Sequence, residues 1–331
     1  MNAPTSQRAA VVERARQIAE DLELQHVKDW LAESPGRTAA GYLPVYTPRE
    51  LIAAVGMLPV GIHGGGDRLE IIRGDACYQS YICHIPRSVV ELLLAGKLDE
   101  LSAVLFPSTC DVIRNLSGIW KLHRPNMYVR YLDLPQVLDP DIGVQFWAAE
   151  LRHVLMDLAR ISGCADPIEG LRAAIADYNA VRRMLARLYA IRSDRPWDIP
   201  TAELYLLMRA QESMTAASWL AMADDYLAAI EAEPGRPRDN CRVILEGAFC
   251  EQPPLGLLKT IERAGCYIVD DDLLLGNRML TEPVRQDGDP VVALAEAFIR
   301  ASAKSSVIYE DDPEGKRWLM QRRVKAAKAD G

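Results

Sequence analysis

The chain has 331 residues, of which 49% are hydrophobic and 25% charged, a composition that indicates a globular protein with a sizeable core. Its net charge of −8 and isoelectric point near 5.3 argue against a nucleic-acid partner, because no basic surplus is present to neutralise phosphates. No apolar run reaches about 18 residues and no charged-then-apolar leader is present, so we expect a cytoplasmic protein without membrane contact. In that compartment its seven cysteines should be free or metal-binding rather than disulfide-bonded.

Residues 1–44 are predicted to form an N-terminal helical segment, broken at Ser34-Pro35-Gly36. From residue 45 onward, helices and strands alternate up to residue 140. The predicted elements are a helix over 48–54 capped by Thr47, a strand over 57–62, a helix over 86–95 ending at Gly96, a strand over 102–106, a helix over 112–121 capped by Asp111 or Thr109, and a strand over 127–132. Such alternation predicts a parallel sheet, whose ligands bind beyond the carboxyl ends of its strands.

The second half of the chain is predicted to be a helical insert followed by another α/β unit. Apolar residues at helical spacing predict helices over 144–161, 171–191 and 201–232 within an insert at 141–235. A strand over 241–245, a helix over 255–264, a strand over 267–269 and two further helices make up the unit at 236–331. The expected fold is therefore α/β, with two Rossmann-like parallel-sheet domains joined by the insert. The second domain looks incomplete, because its last helix should lead into another strand.

Two cysteines each precede a predicted helix N-terminus. Cys83 lies just before Pro86, and Cys110 lies in the run Pro-Ser-Thr-Cys-Asp that follows a strand. The dipole and unpaired N–H groups of a helix N-terminus favour thiolate over thiol, and two thiolates suit a soft metal centre. Free cysteine is also among the most often buried residue types, and no C-x-x-C pair is present. The spacing alone therefore leaves a structural role and a metal site both open.

Residues 74–120 resemble the cluster-binding half of the 2-hydroxyacyl-CoA dehydratase and benzoyl-CoA reductase family. In that family, a cysteine before one helix and a Cys-Asp pair before the next each ligate a 4Fe-4S cluster, which matches Cys83 and Cys110 here. The run YQSYICHIPRS resembles the smaller of the cluster-carrying subunits in the ATP-dependent benzoyl-CoA reductase branch more than it resembles the dehydratases. The family's third cluster cysteine would lie beyond residue 331, and Cys77 is the weaker alternative within this sequence.

A second loop extends the resemblance. Family members carry an Asp-Asp-x-x-x-Gly-x-Arg loop facing the cluster domain, and this pattern implies substrate binding by Asp271, Gly276 and Arg278. Without the resemblance, the adjacent carboxylates from Asp270 to Asp272 indicate a helix cap and solvated charges, because consecutive residues cannot all converge on one cation.

The resemblance implies a subunit of an enzyme that uses its 4Fe-4S cluster to reduce an aromatic acyl-CoA, benzoyl-CoA, to a dienoyl-CoA. Implied partners are a second cluster-carrying subunit, ATP-hydrolysing activator subunits and a ferredoxin. ATP hydrolysis is assigned to partners because the chain has no Walker motif, and the His-Gly-Gly-Gly run at 63–66 is more typical of a flexible turn. The alternatives are a 2-hydroxyacyl-CoA dehydratase subunit and, from another class, a non-catalytic scaffold or docking subunit.

Overall fold

The computed structural model describes residues 6–43, 46–247, 253–273, 282–303 and 313–331. Over these ranges the chain has a mixed α/β fold, with a four-stranded parallel sheet, a two-stranded parallel sheet and many helices. The prediction of an α/β protein with parallel sheets is thereby confirmed. Within the same ranges, no helix has both the length and the apolar character needed to cross a membrane.

The first part of the chain forms the four-stranded sheet and its covering helices. The helices are α1 (Gln7–Ala19), α2 (Gln25–Ala32), α3 (Arg49–Ala54), α4 (His84–Leu94) and α5 (Asp111–His123). The strands are β1 (Ala39–Tyr42), β2 (Leu58–Gly61), β3 (Ala103–Pro107) and β4 (Tyr128–Leu132). Their order across the sheet is β2-β1-β3-β4, and every neighbouring pair is parallel.

The central strand β1 was not predicted, since it lies in the segment expected to be helical. Its residues Ala39, Ala40 and Gly41 have little intrinsic preference for strand, so pairing with β2 on one side and β3 on the other must hold it extended. A Cβ at Gly41 would lie 2.7 Å from Ile62 Cδ1 and 2.8 Å from Leu101 Cδ1, so those two side chains would have to shift to admit a larger residue. The N-terminal segment is thus two helices followed by a sheet strand.

Four helices follow the sheet: α6 (Pro140–Ser162), α7 (Pro167–Asp194), α8 (Thr201–Gln211) and α9 (Ala216–Ala232). The prediction of one continuous helix over 201–232 is wrong. The chain breaks after α8, and the Thr215 hydroxyl caps α9 by accepting a hydrogen bond from the Ser218 N–H at 3.2 Å. The break places the buried Glu212 carboxylate 2.6 Å from the Tyr42 hydroxyl and 2.7 Å from the Arg49 guanidinium. This tertiary contact outweighs the helical pattern of the sequence.

The last part of the chain contains β5 (Cys241–Leu245), α10 (Leu255–Arg263), β6 (Cys266–Asp271), α11 (Pro290–Ala303) and α12 (Pro313–Ala327). Strands β5 and β6 pair in parallel and form the two-stranded sheet, as the predicted strand–helix–strand unit requires.

Helices cover both faces of the four-stranded sheet, as alternate residues of β3 demonstrate. Val104 and Phe106 belong to a buried cluster with residues of α4 and α5, whereas Ala103 and Leu105 belong to one with residues of α3, α6, α7 and α11. Because both faces of the sheet are buried, a ligand must approach it at its edges or at the ends of its strands.

Candidate functional site

Cys83 and Cys110 are the N-cap residues of α4 and α5, so the prediction that each precedes a helix N-terminus is confirmed. The prediction that Asp111 or Thr109 caps α5 is wrong, because Asp111 is already helical and the Cys110 carbonyl accepts the first bonds of the helix. Each cysteine therefore lies at a helix end whose first backbone N–H groups lack a partner within the helix and carry partial positive charge, which suits a bound anionic group.

Both cysteines lie beyond the carboxyl ends of strands of the parallel sheet. Cys110 comes three residues after Pro107, the last residue of β3, and α4 is reached through the loop that leaves β2 at Gly61. Because the strands are parallel, their carboxyl ends share one edge, and this edge is where ligands of such sheets bind. The topology therefore brings two cysteines that are 27 positions apart in sequence to one edge of the sheet.

Cys77 belongs to the same group of thiols. It ends a 3-10 turn at Asp75–Cys77, and its sulfur lies 3.7 Å from the Arg73 carbonyl oxygen. Burial raises the pKa of the adjacent Tyr78 hydroxyl, and the nearby Cys77, Cys83 and Cys110 raise that pKa further. We call Cys77, Cys83 and Cys110 the cysteine group. Cys77 and Cys110 are exposed, and Cys83 is half-buried.

Glu91 of α4 fixes the loop that carries Cys77. Its carboxylate accepts hydrogen bonds from the backbone N–H groups of Ile72, Arg73 and Gly74 at 3.0, 2.7 and 2.9 Å, and from the Arg73 side chain at 3.1 Å. Burial opposes ionisation of Glu91, but these donors outweigh it and lower the pKa of the carboxyl. The loop is therefore attached to α4 by a charged and nearly buried side chain.

Glycines allow the same loop to approach α4 closely. A Cβ on Gly74 would lie 2.0 Å from the Arg87 carbonyl oxygen, and one on Gly64, where φ is +76°, would lie 2.0 Å from the Ser88 hydroxyl oxygen. That hydroxyl accepts a hydrogen bond from the Gly65 N–H at 3.2 Å. The glycine run expected to be a flexible turn is therefore a packed turn that positions the start of the cysteine loop.

The donors fit iron in kind, because cysteine thiolates are the usual ligands of iron–sulfur clusters. Such clusters commonly have four cysteine ligands. Over the part of the chain that the structure describes, no group of three or more His, Cys, Asp or Glu side chains is arranged to hold a metal ion. Cys83 and Cys110 can thus supply two ligands from two helix N-termini, with Cys77 as the nearest further thiol.

Asp271, the first residue of the second predicted loop, is fully buried. Its carboxylate lies 2.7 Å from the Arg192 guanidinium and accepts hydrogen bonds from the Tyr189 hydroxyl at 3.0 and 3.1 Å. Both partners belong to α7, so Asp271 attaches the end of β6 to that helix. Gly276 and Arg278 lie outside the described residues.

The chain is attached to α7 again on the far side of that loop. The Asn179 amide donates to the Val284 carbonyl at 2.7 Å and accepts from the Val284 N–H at 2.8 Å. The stretch between Asp271 and Val284 therefore starts and ends on the same helix. No motif indicated this arrangement, because its partners are about 80 to 105 positions apart.

A cavity lies beside the second attachment point, between the start of α3, α7 and α11. It contains about 860 Å³ of empty space, part of it open to solvent. Its apolar wall includes Tyr178, Val181, Leu185, Val284, Leu294 and Phe298. Its polar end contains Arg49 and Arg182, which pair with Glu212 and Glu50 and are thereby held in place. Arg49 is the first residue of α3, the helix that follows β1 in the chain.

Known proteins resemble this chain over most of its length. The family model described as 2-hydroxyglutaryl-CoA dehydratase, D-component, matches residues 44–331. The chain is 46% identical to the benzoyl-CoA reductase subunit designated C in Thauera aromatica, over 98% of this chain and 84% of that protein. It is 28% identical to lactoyl-CoA dehydratase subunit beta of Anaerotignum propionicum, over 87% of this chain and 75% of that protein. It is also 28% identical to (R)-2-hydroxyglutaryl-CoA dehydratase subunit beta of Acidaminococcus fermentans, over 84% of this chain and 73% of that protein. These similarities confirm the resemblance inferred from the cysteine segment.

Proposed function

Because the chain belongs to the 2-hydroxyglutaryl-CoA dehydratase D-component family, we propose that it is a subunit of an ATP-dependent, ferredoxin-linked reductase that converts benzoyl-CoA to a dienoyl-CoA. The observation that carries this proposal is the 46% identity to a benzoyl-CoA reductase subunit, against 28% identity to two dehydratase subunits. The protein would be a cytoplasmic oxidoreductase component of anaerobic aromatic degradation.

In this proposal Cys83 and Cys110 ligate a 4Fe-4S cluster, which supplies one-electron transfers to the aromatic thioester when bound. The N-termini of α4 and α5 place the two sulfurs, and Glu91 with Gly74 keeps the preceding loop against α4. Within this chain, Cys77 is the nearest candidate for a further ligand. The chain's own contribution is to place the sulfurs and to fix their surroundings.

The exposure of the cysteine group supports a partner that covers it. Besides Cys77 and Cys110, two large apolar side chains of the loop that carries Cys77 are exposed, Ile72 at 66% and Tyr81 at 81% of their surface. Exposed apolar side chains next to a reactive site are typical of a surface completed by another protein. We propose the second cluster-carrying subunit as that partner, with separate ATP-hydrolysing activator subunits and a ferredoxin supplying electrons.

For the substrate, we propose that the aromatic acyl-CoA is held by the loop that contains Gly276 and Arg278 together with the cavity on α7. Asp271 acts as the positioning residue of that loop through its buried pair with Arg192. The cavity has the aromatic and aliphatic wall that an aromatic acyl group requires, and its paired arginines provide a polar end.

The domain organisation belongs to the same proposal. We assign residues 45–140 to the cluster-binding domain, 141–235 to the helical insert and 236–331 to a second α/β domain. Each parallel sheet would be the centre of a Rossmann-like unit, and residues 1–44 form the N-terminal segment, with its last strand inserted into the first sheet.

The test is an anaerobic incubation of the chain, reconstituted with its partner subunits, with benzoyl-CoA or with a 2-hydroxyacyl-CoA. A reductase should consume reductant and ATP in proportion to the dienoyl-CoA formed. Sustained dehydration without consumption of reductant, with benzoyl-CoA untouched, would identify a dehydratase subunit instead.

Iron and sulfide analysis separates both enzymes from a scaffold subunit. We expect about four iron atoms per chain after anaerobic preparation, the content of one cubane cluster. Cys83→Ser and Cys110→Ser should each lose this iron, whereas Cys241→Ser, an exposed cysteine on β5, should keep it. Full iron retention in both of the first two variants would refute the ligand assignment.

A further inference from the structure

The cavity on α7 has a polar end whose charges are already balanced. Of the residues that line it in the described part of the chain, two are charged, Arg49 and Arg182. Arg49 lies 2.7 Å from the Glu212 carboxylate, and Arg182 pairs with Glu50 in the same way. Both carboxylates are nearly buried, with 5% and 3% of their side chains exposed, so the arginines rather than the carboxylates face the cavity. The polar end therefore offers N–H donors without a net positive charge.

Glu212 holds Arg49 in place and is itself held on both oxygens. One oxygen accepts the Arg49 guanidinium, and the other accepts the Tyr42 hydroxyl at 2.6 Å. Arg49 also lies over the Tyr178 ring, with Cζ 5.2 Å from the ring centroid. Within the described ranges, Glu212 accepts one of the five N–H groups of the Arg49 guanidinium, so donors remain for a ligand. Arg49 is thus fixed in position and can still donate into the cavity.

This balance of charge distinguishes between ligands. A neutral carbonyl oxygen can accept an N–H from Arg49 while the ion pair with Glu212 stays intact. A carboxylate would bring an unbalanced negative charge against a largely apolar wall, near the carboxylates of Glu212 and Glu50, and would lose its hydration there.

We propose that the cavity binds an aromatic acyl group through a neutral carbonyl and rejects one that ends in a carboxylate, and that Glu212 determines this selectivity through Arg49. The inference deepens the proposed function, because it rests on the assignment of the cavity to the aromatic acyl group. Glu212 is in this sense a positioning residue. Binding in the cavity needs neither iron nor a partner subunit, so it can be tested apart from the reductase activity.

Benzamide and benzoate test the selectivity, because they have nearly the same shape and differ in charge at neutral pH. Ligand-observed NMR titration of the full chain, without iron or partner subunits, gives both dissociation constants. We expect the wild type to bind benzamide at least about tenfold more tightly than benzoate. Ala301→Trp should abolish benzamide binding, since it fills the cavity, and Arg300→Trp on the neighbouring exposed position should retain it.

Glu212→Gln keeps the size of the side chain and an acceptor for Arg49 but removes the counter-charge. We expect it to bind benzoate at least about tenfold more tightly than the wild type does, with a much smaller change for benzamide. Glu203→Gln is the matched control, because Glu203 accepts the Arg8 guanidinium at 2.9 Å and the Tyr226 hydroxyl at 2.8 Å, outside the cavity. It should leave both affinities at the wild-type values.

Equal affinities of the wild type for the two probes, or no binding of benzamide, would overturn the proposal. The same selectivity in Glu212→Gln as in the wild type would overturn the role of Glu212. If Glu212→Gln does not fold, the wild-type comparison and Ala301→Trp decide the selectivity of the cavity by themselves. A chain that shows this selectivity but whose reconstituted complex leaves benzoyl-CoA untouched would refute the reductase and leave the charge selectivity supported.

Discussion

The carboxylate of Glu91 accepts a hydrogen bond from the backbone N–H of Gly74 at 2.9 Å, and so joins α4 to the loop that carries Cys77. The same oxygen also accepts the N–H groups of Ile72 and Arg73. One buried side chain therefore satisfies three consecutive backbone donors that no strand or helix pairs. The position of the cysteine loop depends on this one helix residue, which has no functional motif of its own.

Glu91→Gln should weaken the attachment of the loop, because the oxygen that accepts the three backbone N–H groups becomes a neutral acceptor and the amide NH₂ group would face the Arg73 guanidinium. Hydrogen bonds to charged groups contribute about 1.5–3 kcal/mol, and we expect the free energy of unfolding to fall by about that amount. Limited proteolysis should then cut within residues 72–82. Glu150→Gln, which alters a pair with Arg130 on β4, is the matched control and should leave this loop protected.

The contribution of Glu91 to stability should depend on pH in a defined direction. Its donors lower the pKa in the folded state, so the stabilisation is fully present above the ordinary glutamate value of about 4.3 and is lost as the pH falls through the lower folded value. The difference in unfolding free energy between wild type and Glu91→Gln should therefore narrow only below about pH 5. Denaturant titrations at several pH values measure this difference in unfolding free energy. A difference that widened on acidification would contradict a lowered pKa for Glu91 in the folded state.

Gly74→Ala should displace the loop for a steric reason, since its Cβ would lie 2.0 Å from the Arg87 carbonyl oxygen. Overpacking of this kind costs about 1–3 kcal/mol. Gly118→Ala is the control, because that exposed glycine in α5 has no atom within 4 Å of the added carbon. We expect the control to gain about 0.5–1 kcal/mol from helix propensity. Equal thermal unfolding midpoints for the two variants would refute the close approach of Gly74 to the Arg87 carbonyl.

Asp271→Asn should destabilise the protein by about 3–5 kcal/mol, because it leaves the fully buried Arg192 without its counter-charge. Glu231→Gln removes the partner of Arg187 in an exposed pair and should change the unfolding free energy by less than about 1 kcal/mol. Chemical denaturation of both variants makes the comparison. A cost for Asp271→Asn as small as that of the control would indicate that the pair is open to solvent.

Ala301→Trp should narrow the cavity on α7 without entering the fully buried core, since Ala301 is a half-buried lining residue. In the reconstituted enzyme we expect a KM for benzoyl-CoA raised at least about tenfold, equivalent to roughly 1.4 kcal/mol of lost binding, with iron content unchanged. Arg300→Trp places the same ring on the neighbouring exposed position and should leave KM near the wild-type value. A normal KM in Ala301→Trp would exclude the cavity as the acyl site.

The sequence by itself determined the features that depend on neighbouring residues. The strand before Cys110 and the helices after both cysteines follow from local apolar patterning. Gly96 ends α4 as predicted, with φ of +74° and with the Gly96 and Lys97 N–H groups bonded to the Leu93 and Leu92 carbonyls. Apolar patterning, helix capping and turn residues act over only a few neighbouring positions, so they can be recognised in a single sequence.

Only the tertiary structure decided the features whose partners are distant in the chain. The strand β1 forms because two other strands pair with it, and the break before α9 places Glu212 against Arg49, 163 positions away. The attachments of Asp271 and Val284 to α7 and the cavity beside them are of the same kind. Their free energy comes from burial and charge pairing between elements, which become neighbours only after the chain has folded, so no local pattern records them.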